Sequence, residues 1–126
     1  MAYRVSKTLF AELVERALAE LPVQFAEFLE EVPLEVREFP TPQQLSRANV
    51  KQNGLLLGLY QGRPRTERSV WDSGNLPDAI YIFQSPIEEV CKNEEELIRQ
   101  VRTTVLHEIG HHFGMTEEDL SKLGYG

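Results

Sequence analysis

Between Asn93 and Gly114 the chain is committed to one long helix, and the rest of the fold must be arranged around it. Asn93 is a strong N-cap, and Glu96 three positions later can complete a capping box. Glu94 and Glu95 add negative charge at the positive end of the helix dipole. The helix should run to about Phe113, where Gly114 offers a left-handed stop. At ~1.5 Å per residue this is a rod of roughly 30 Å, the longest element expected in the molecule. Ile98, Val101, Val105 and Ile109 form an apolar stripe for a core. On the opposite side, Gln100, Thr103, Thr104, His111 and Gly114 all fall within about 60° of His107 on the helical wheel. One face packs, and the other, polar face carries histidines.

The remainder reads as short elements that could cover the apolar stripe. Ser6 can cap a first helix, in which Leu9, Phe10, Leu13, Val14, Ala17, Leu18 and Leu21 recur at helical spacing. Pro22 ends that helix or starts another, and Phe25, Phe28 and Leu29 suit a second short helix. From Val32 to Phe39 the period changes to two, the pattern of a half-buried strand, which Pro40 and Pro42 end. A loop is expected from there to Gly54. Leu55 to Tyr60 is an apolar run in which Gly58 signals a bulge or a close backbone approach. Residues 61 to 78 read as a long loop, a kind that is usually mobile or functional. Ala79 to Phe83, AIYIF, is a third strand, and Thr116 can cap a last short helix through Leu120 and Leu123. The expectation is one α+β domain over residues 1–126, with helices and a small sheet in two layers.

The chemistry sits at the end of the long helix, in His107-Glu108-Ile109-Gly110-His111. Residues four apart on a helix differ in direction by only ~40°, so His107 and His111 project side by side and can share one zinc ion. Glu108 points ~100° away, which is wrong for a third ligand and right for a base that takes a proton from water attacking a carbonyl. His112 is directed toward Val101 and Val105 and reads as a structural histidine. A structural zinc site closes its shell with four protein ligands, commonly thiolates, and this chain has one cysteine and three histidines. A catalytic site needs three ligands and an open position, which leaves a carboxylate as the third. Gly114 turns the chain back, and Glu117, Glu118 and Asp119 are all available. The spacing of the residues does not choose among them.

Composition narrows the partners. A net charge of −7 argues against duplex nucleic acid, whose binding draws on clustered lysine and arginine. Arg63, Arg65 and Arg68 are a local exception, read first as solvated loop charges and otherwise as a patch for an acidic substrate or partner. No apolar stretch approaches the roughly 20 residues that span a bilayer, so no membrane partner is expected. Lys7, Glu12, Glu15 and Arg16 interrupt any secretory apolar region, and the single Cys91 cannot form an internal disulfide. A reducing, cytoplasmic setting is the simplest expectation.

Three segments, VLHEIGHHFGM at 105–115, GLYQGRPRTER at 58–68 and LPDAIYIFQSPIEEVC at 76–91, resemble a family of small bacterial zincin-like proteins, the minimal zincins. The resemblance covers nearly the whole chain in order. It implies a pared-down metzincin core, with a three- to four-stranded sheet packed against an N-terminal helix and a long active-site helix. The family motif is HExxHxxGxx(D/H), so by resemblance His107 and His111 are zinc ligands and Glu108 is the general base. The last motif position falls on Glu117, which becomes the implied third ligand and departs from both Asp and His. The implied activity is zinc-dependent hydrolysis of a peptide or protein substrate, with a metal-binding regulatory or interaction module as the alternative. In zincins an extended peptide lies along an edge strand above the metal. By that resemblance Ala79–Phe83, or the loop before it, shapes the cleft, and Tyr60, Tyr81 or Tyr125 is a candidate to stabilise an oxyanion. Met115 is read as a hydrophobic contact closing the helix end.

Overall fold

In a computed structural model of the chain, which describes residues 2–48, 55–62 and 78–122, the Ser6 hydroxyl accepts the Leu9 N–H at 3.0 Å and opens helix α1 (Lys7–Leu18). Its buried face, Phe10, Leu13, Val14 and Ala17, belongs to the same apolar core as Leu97, Val101, Val105 and Ile109 of the long helix α5 (Glu94–His112). Pro22 has no N–H to lose and sits as N-cap of α2 (Val23–Glu31), which buries Phe25. Both capping expectations hold.

Three strands follow: β1 (Leu34–Arg37), β2 (Gly58–Gln61) and β3 (Ala79–Phe83). They form one sheet in the order β1-β3-β2, with β1 parallel and β2 antiparallel to β3. Side chains alternate across a strand, so Ile80 and Ile82 of β3 enter the core together with Leu34 and Val36 of β1 and Tyr60 of β2. The sheet lies against α5 on that face, and α1 packs on α5 from elsewhere in the core. The fold is α+β, as the helix and strand patterns predict, with six helices and a small three-stranded mixed sheet among the described residues.

Two helices occupy ground where the sequence pattern differs from the structure. The segment after Pro42, expected to be loop, forms α3 (Pro42–Arg47). Thr41 Oγ1 accepts the Gln44 N–H at 3.1 Å and Gln44 Oε1 accepts the Thr41 N–H at 2.9 Å, a complete capping box with proline in the first turn. The prolines that end the strand also start a helix. Directly after β3, α4 (Gln84–Glu89) buries Glu88, 4% exposed. That carboxylate accepts the Val5 N–H at 2.9 Å, Gln84 Nε2 at 3.1 Å and Arg4 Nη1 at 3.2 Å. Arg4 also holds Ser85 and Glu89, and the Tyr3 N–H donates to Glu88 O at 3.0 Å. The first residues are thereby strapped onto α4.

The long helix begins and ends on local signals. Asn93 Oδ1 accepts the Glu96 N–H at 2.8 Å, while Glu96 reaches one residue further than a capping box and accepts the Lys92 N–H at 3.0 Å. At the other end Gly114 has φ +75°, a conformation costly for any residue with a Cβ. The Gly114 N–H donates to His111 O at 3.0 Å and the Met115 N–H to Gly110 O at 2.8 Å, closing the helix as a Schellman-type stop. Met115 packs against the core, as expected of a residue closing the helix end. The chain then turns into α6 (Glu117–Lys122), whose Leu120 is fully buried against Gly110. Among the described residues no helix is long and apolar enough to cross a membrane.

Candidate active site

His107 and His111 emerge from adjacent turns at the C-terminal end of α5 with ring centroids 6.3 Å apart and planes 25° from parallel. The i, i+4 spacing thus brings the two imidazoles alongside one another. His107 is half-buried and His111 exposed, so the pair opens toward solvent from the end of the helix. These rings are of the right type and disposition to share one zinc ion.

Glu108 is directed elsewhere, toward the sheet. Its Oε1 accepts the backbone N–H of Tyr60 at 2.8 Å. In the antiparallel ladder Leu59 and Tyr81 face each other, and Phe83 N–H donates to Leu57 O at 3.0 Å. Tyr60 therefore lies at a position whose amide points away from β3, and Glu108 takes it up. Burial raises the Glu108 pKa above the usual carboxylate value; the Tyr60 N–H and the nearby His111 and His107 pull in the opposite direction without cancelling it. A carboxylate so raised, and held by one oxygen, is suited to accepting a proton.

The closeness of α5 to β2 depends on Gly58. A Cβ there would lie 2.5 Å from Thr104 Cγ2 and 3.1 Å from Tyr81 O. The glycine is a close backbone approach rather than a bulge. It also explains why Thr104, assigned to the open polar face by the helical wheel, is only 7% exposed. Thr104 is covered by β2, and its Oγ1 accepts Gln100 Nε2 at 3.1 Å. The Tyr60 amide is the contributor that residue-type reasoning misses, because a backbone donor has no letter of its own. Gly58, two residues earlier, is the readable trace of it.

The other sequence candidates distribute as follows. His112 is exposed and does not join the pair; its ring packs 4.8 Å from Phe28 and 4.9 Å from Tyr60, a packing role met by aromatic contact. Tyr81 lies on the sheet face away from α5, stacked on Phe83, and so is remote from Glu108. β3 is the central strand, paired on both sides, so it is not the edge that resemblance assigns to the cleft; β2 is the strand beside Glu108. Asp119 exchanges hydrogen bonds with Thr116, accepting its N–H at 2.9 Å and donating its own to Thr116 Oγ1 at 3.1 Å. Glu118 lies 3.8 Å from Lys122. The backbone of Glu117 starts α6, while its side chain, Tyr125 and the Arg63, Arg65 and Arg68 cluster lie outside the described residues. Among the described residues no three His, Cys, Asp or Glu side chains gather as a metal-binding group.

No functionally curated protein matches the chain. The solved structure of a conserved hypothetical protein from Thermus thermophilus is similar, with 25% identity and a TM-score of 0.56 over 93% of this chain and 98% of that one. The two share a fold nearly end to end. The sequence pattern of the zincin-like metallopeptidases matches residues 29–126, a span that runs from the end of α2 through the sheet, the paired histidines and α6. The chain belongs to the zincin-like metallopeptidase family.

Proposed function

We propose that this protein is a zinc-dependent peptidase in which His107, His111 and Glu117 hold the metal and Glu108 is the general base. The observation that carries the reading is the division of labour at the end of α5. Two imidazoles lie side by side there, and the carboxylate between them in sequence is turned aside and pinned by the Tyr60 N–H. Zinc bound there supplies a Lewis acid that polarises a peptide carbonyl. Glu108 keeps one oxygen on the Tyr60 amide and has the other to take the proton of an attacking water and pass it to the leaving amine. Burial raises its pKa, which favours its taking up a proton. The Thr116–Asp119 capping box occupies one alternative third ligand and Lys122 neighbours another, which favours Glu117. A free, buried Cys91 fits a cytoplasmic setting.

The test is metal analysis together with peptide-library cleavage. Wild-type protein should take up one zinc per chain and cleave. Glu108→Gln should keep the zinc and lose cleavage by about 10²-fold or more, the order expected for a general base. Glu117→Ala should weaken zinc binding. Stoichiometric zinc with no cleavage in any library would support a metal-binding regulatory module instead, and no uptake at micromolar zinc would defeat both readings.

A further inference from the structure

The sheet face turned away from α5 carries a cavity of about 410 Å³, roofed by α3. Its floor takes one residue from each strand: Arg37 from β1, Tyr81 from β3 and Gln61 from β2. Thr41, Gln44 and Arg47 line it from the α3 side. The volume falls within the range of small-molecule sites, roughly 300–1,000 Å³. Apart from the Tyr81 ring, the described lining is charged or hydrogen-bonding.

Arg37 is fixed in place. Its guanidinium lies 5.3 Å from the Tyr81 ring centroid, Nη2 donates to Glu35 Oε1 at 3.1 Å, and Nη1 donates to Val36 O at 3.1 Å. Arg47 forms no ion pair with a described residue. Gln61 is 7% exposed; its Oε1 accepts Gln44 Nε2 at 3.3 Å, and its own Nε2 donates to no described residue. Gln61 lines the cavity, so this amide donor is left open to a ligand that brings an acceptor. Among the described residues, Arg37 and Arg47 set against Glu35 leave one net positive charge at the cavity, in a chain whose net charge is −7.

We propose that this cavity binds a small polar monocarboxylate. Arg47 meets the carboxylate with its planar fork, Gln61 Nε2 donates to it, and the Arg37–Tyr81 stack forms the floor. A single positive charge matches a carboxylate better than a phosphate monoester, which carries about −1.5 to −2 at neutral pH. The site uses neither histidine nor Glu108 and lies across the sheet from both, so it stands independently of the peptidase reading.

The test is a titration of ¹⁵N-labelled full-length protein at constant ionic strength, followed at the side-chain signals of Gln61, Gln44 and Arg47. The probes are N-acetylglycine, its uncharged amide N-acetylglycinamide, and inorganic phosphate. N-acetylglycine should give saturable shifts at millimolar concentration, with the amide and phosphate each binding at least tenfold more weakly. Arg47→Gln, at an exposed position, should weaken N-acetylglycine at least tenfold without moving the melting temperature. Equal binding of acid and amide, tighter binding of phosphate, unsaturated shifts, or an unchanged titration in Arg47→Gln would each overturn the proposal. Should the variant fail to fold, the acid–amide comparison on wild-type protein decides alone.

Discussion

If Gly58 is what lets β2 lie close enough to α5 for the Tyr60 amide to reach Glu108, then adding one methyl there should damage stability and site together. In Gly58→Ala the new Cβ would meet Thr104 Cγ2 at 2.5 Å and Tyr81 O at 3.1 Å. Forcing a methylene into a packed contact costs about 1–3 kcal/mol, and the alanine returns about 0.5–1 kcal/mol of backbone entropy. A net loss of about 1–2 kcal/mol lowers the melting temperature of a domain this size by roughly 4–8 °C. The offending neighbour is a single methyl, so Thr104→Ser removes it while keeping the Oγ1 that accepts Gln100 Nε2. Alone, Thr104→Ser should cost about 1 kcal/mol for the lost buried methyl. Combined, the two should recover about 1 kcal/mol or more relative to the sum of the singles. The Tyr81 O contact keeps the recovery incomplete. Thermal or urea unfolding of the four proteins gives the cycle. Peptide cleavage supplies the second readout, falling in Gly58→Ala and returning with Thr104→Ser as the Tyr60 N–H regains Glu108. Additive costs to within about 0.3 kcal/mol, or a fully stable Gly58→Ala, would refute the close-approach argument.

Three further outcomes are expected. Because burial raises the Glu108 pKa, its contribution to stability is present below the unfolded-state value of 4.5 and is lost as pH rises through the folded value. Chelator-treated Glu108→Gln should therefore match wild type near pH 4 and become the more stable protein toward neutral pH, while being inactive; equal melting curves at both pH values would contradict this. Cys91 is 2% exposed, and burial, with Glu96 nearby, pushes its thiol from 9.0 up to about 11. Thiol reagents should label it only after denaturation. Wild type should also lose stability relative to Cys91→Ala between about pH 9 and 11, where only the unfolded thiol ionises. Glu88→Ala strips the acceptor from the Val5 N–H, the Gln84 amide and Arg4, and should cost roughly 3 kcal/mol in urea unfolding.

What can be read from residues alone is whatever the local chain determines. Asn93, the Ile98–Ile109 stripe and Gly114 define α5 almost to the residue, because cap, period and stop agree. AIYIF marks β3 with its bounds, since an apolar β-branched and aromatic run between polar segments has few alternatives. His107 and His111 are legible for the same reason: four residues on a helix fix a direction. The misses are of two kinds. At Thr41-Pro42-Gln43-Gln44 two signals compete, and the prolines mask a capping box that is equally present. At Thr104, at the Tyr60 amide and in the placement of β3 between β1 and β2, the deciding partner lies dozens of residues away. A polar threonine is buried only because a distant glycine admits a strand above it. No periodicity within α5 contains that information.

The strap of Tyr3, Arg4 and Val5 onto Gln84, Ser85, Glu88 and Glu89 joins groups 79 to 85 residues apart along the chain. Likewise α1 packs chiefly on α5 among the described elements, and the Tyr60 amide meets Glu108 across 48 residues. During vectorial synthesis α1 can coil as an amphipathic segment, but it has no surface to settle on until α5 has been made. Loop-closure entropy is thus incurred late and almost all at once. The nascent chain offers no half-built intermediate with paired imidazoles beside a seated Glu108, so a truncated translation product would carry neither a stable fold nor an assembled site.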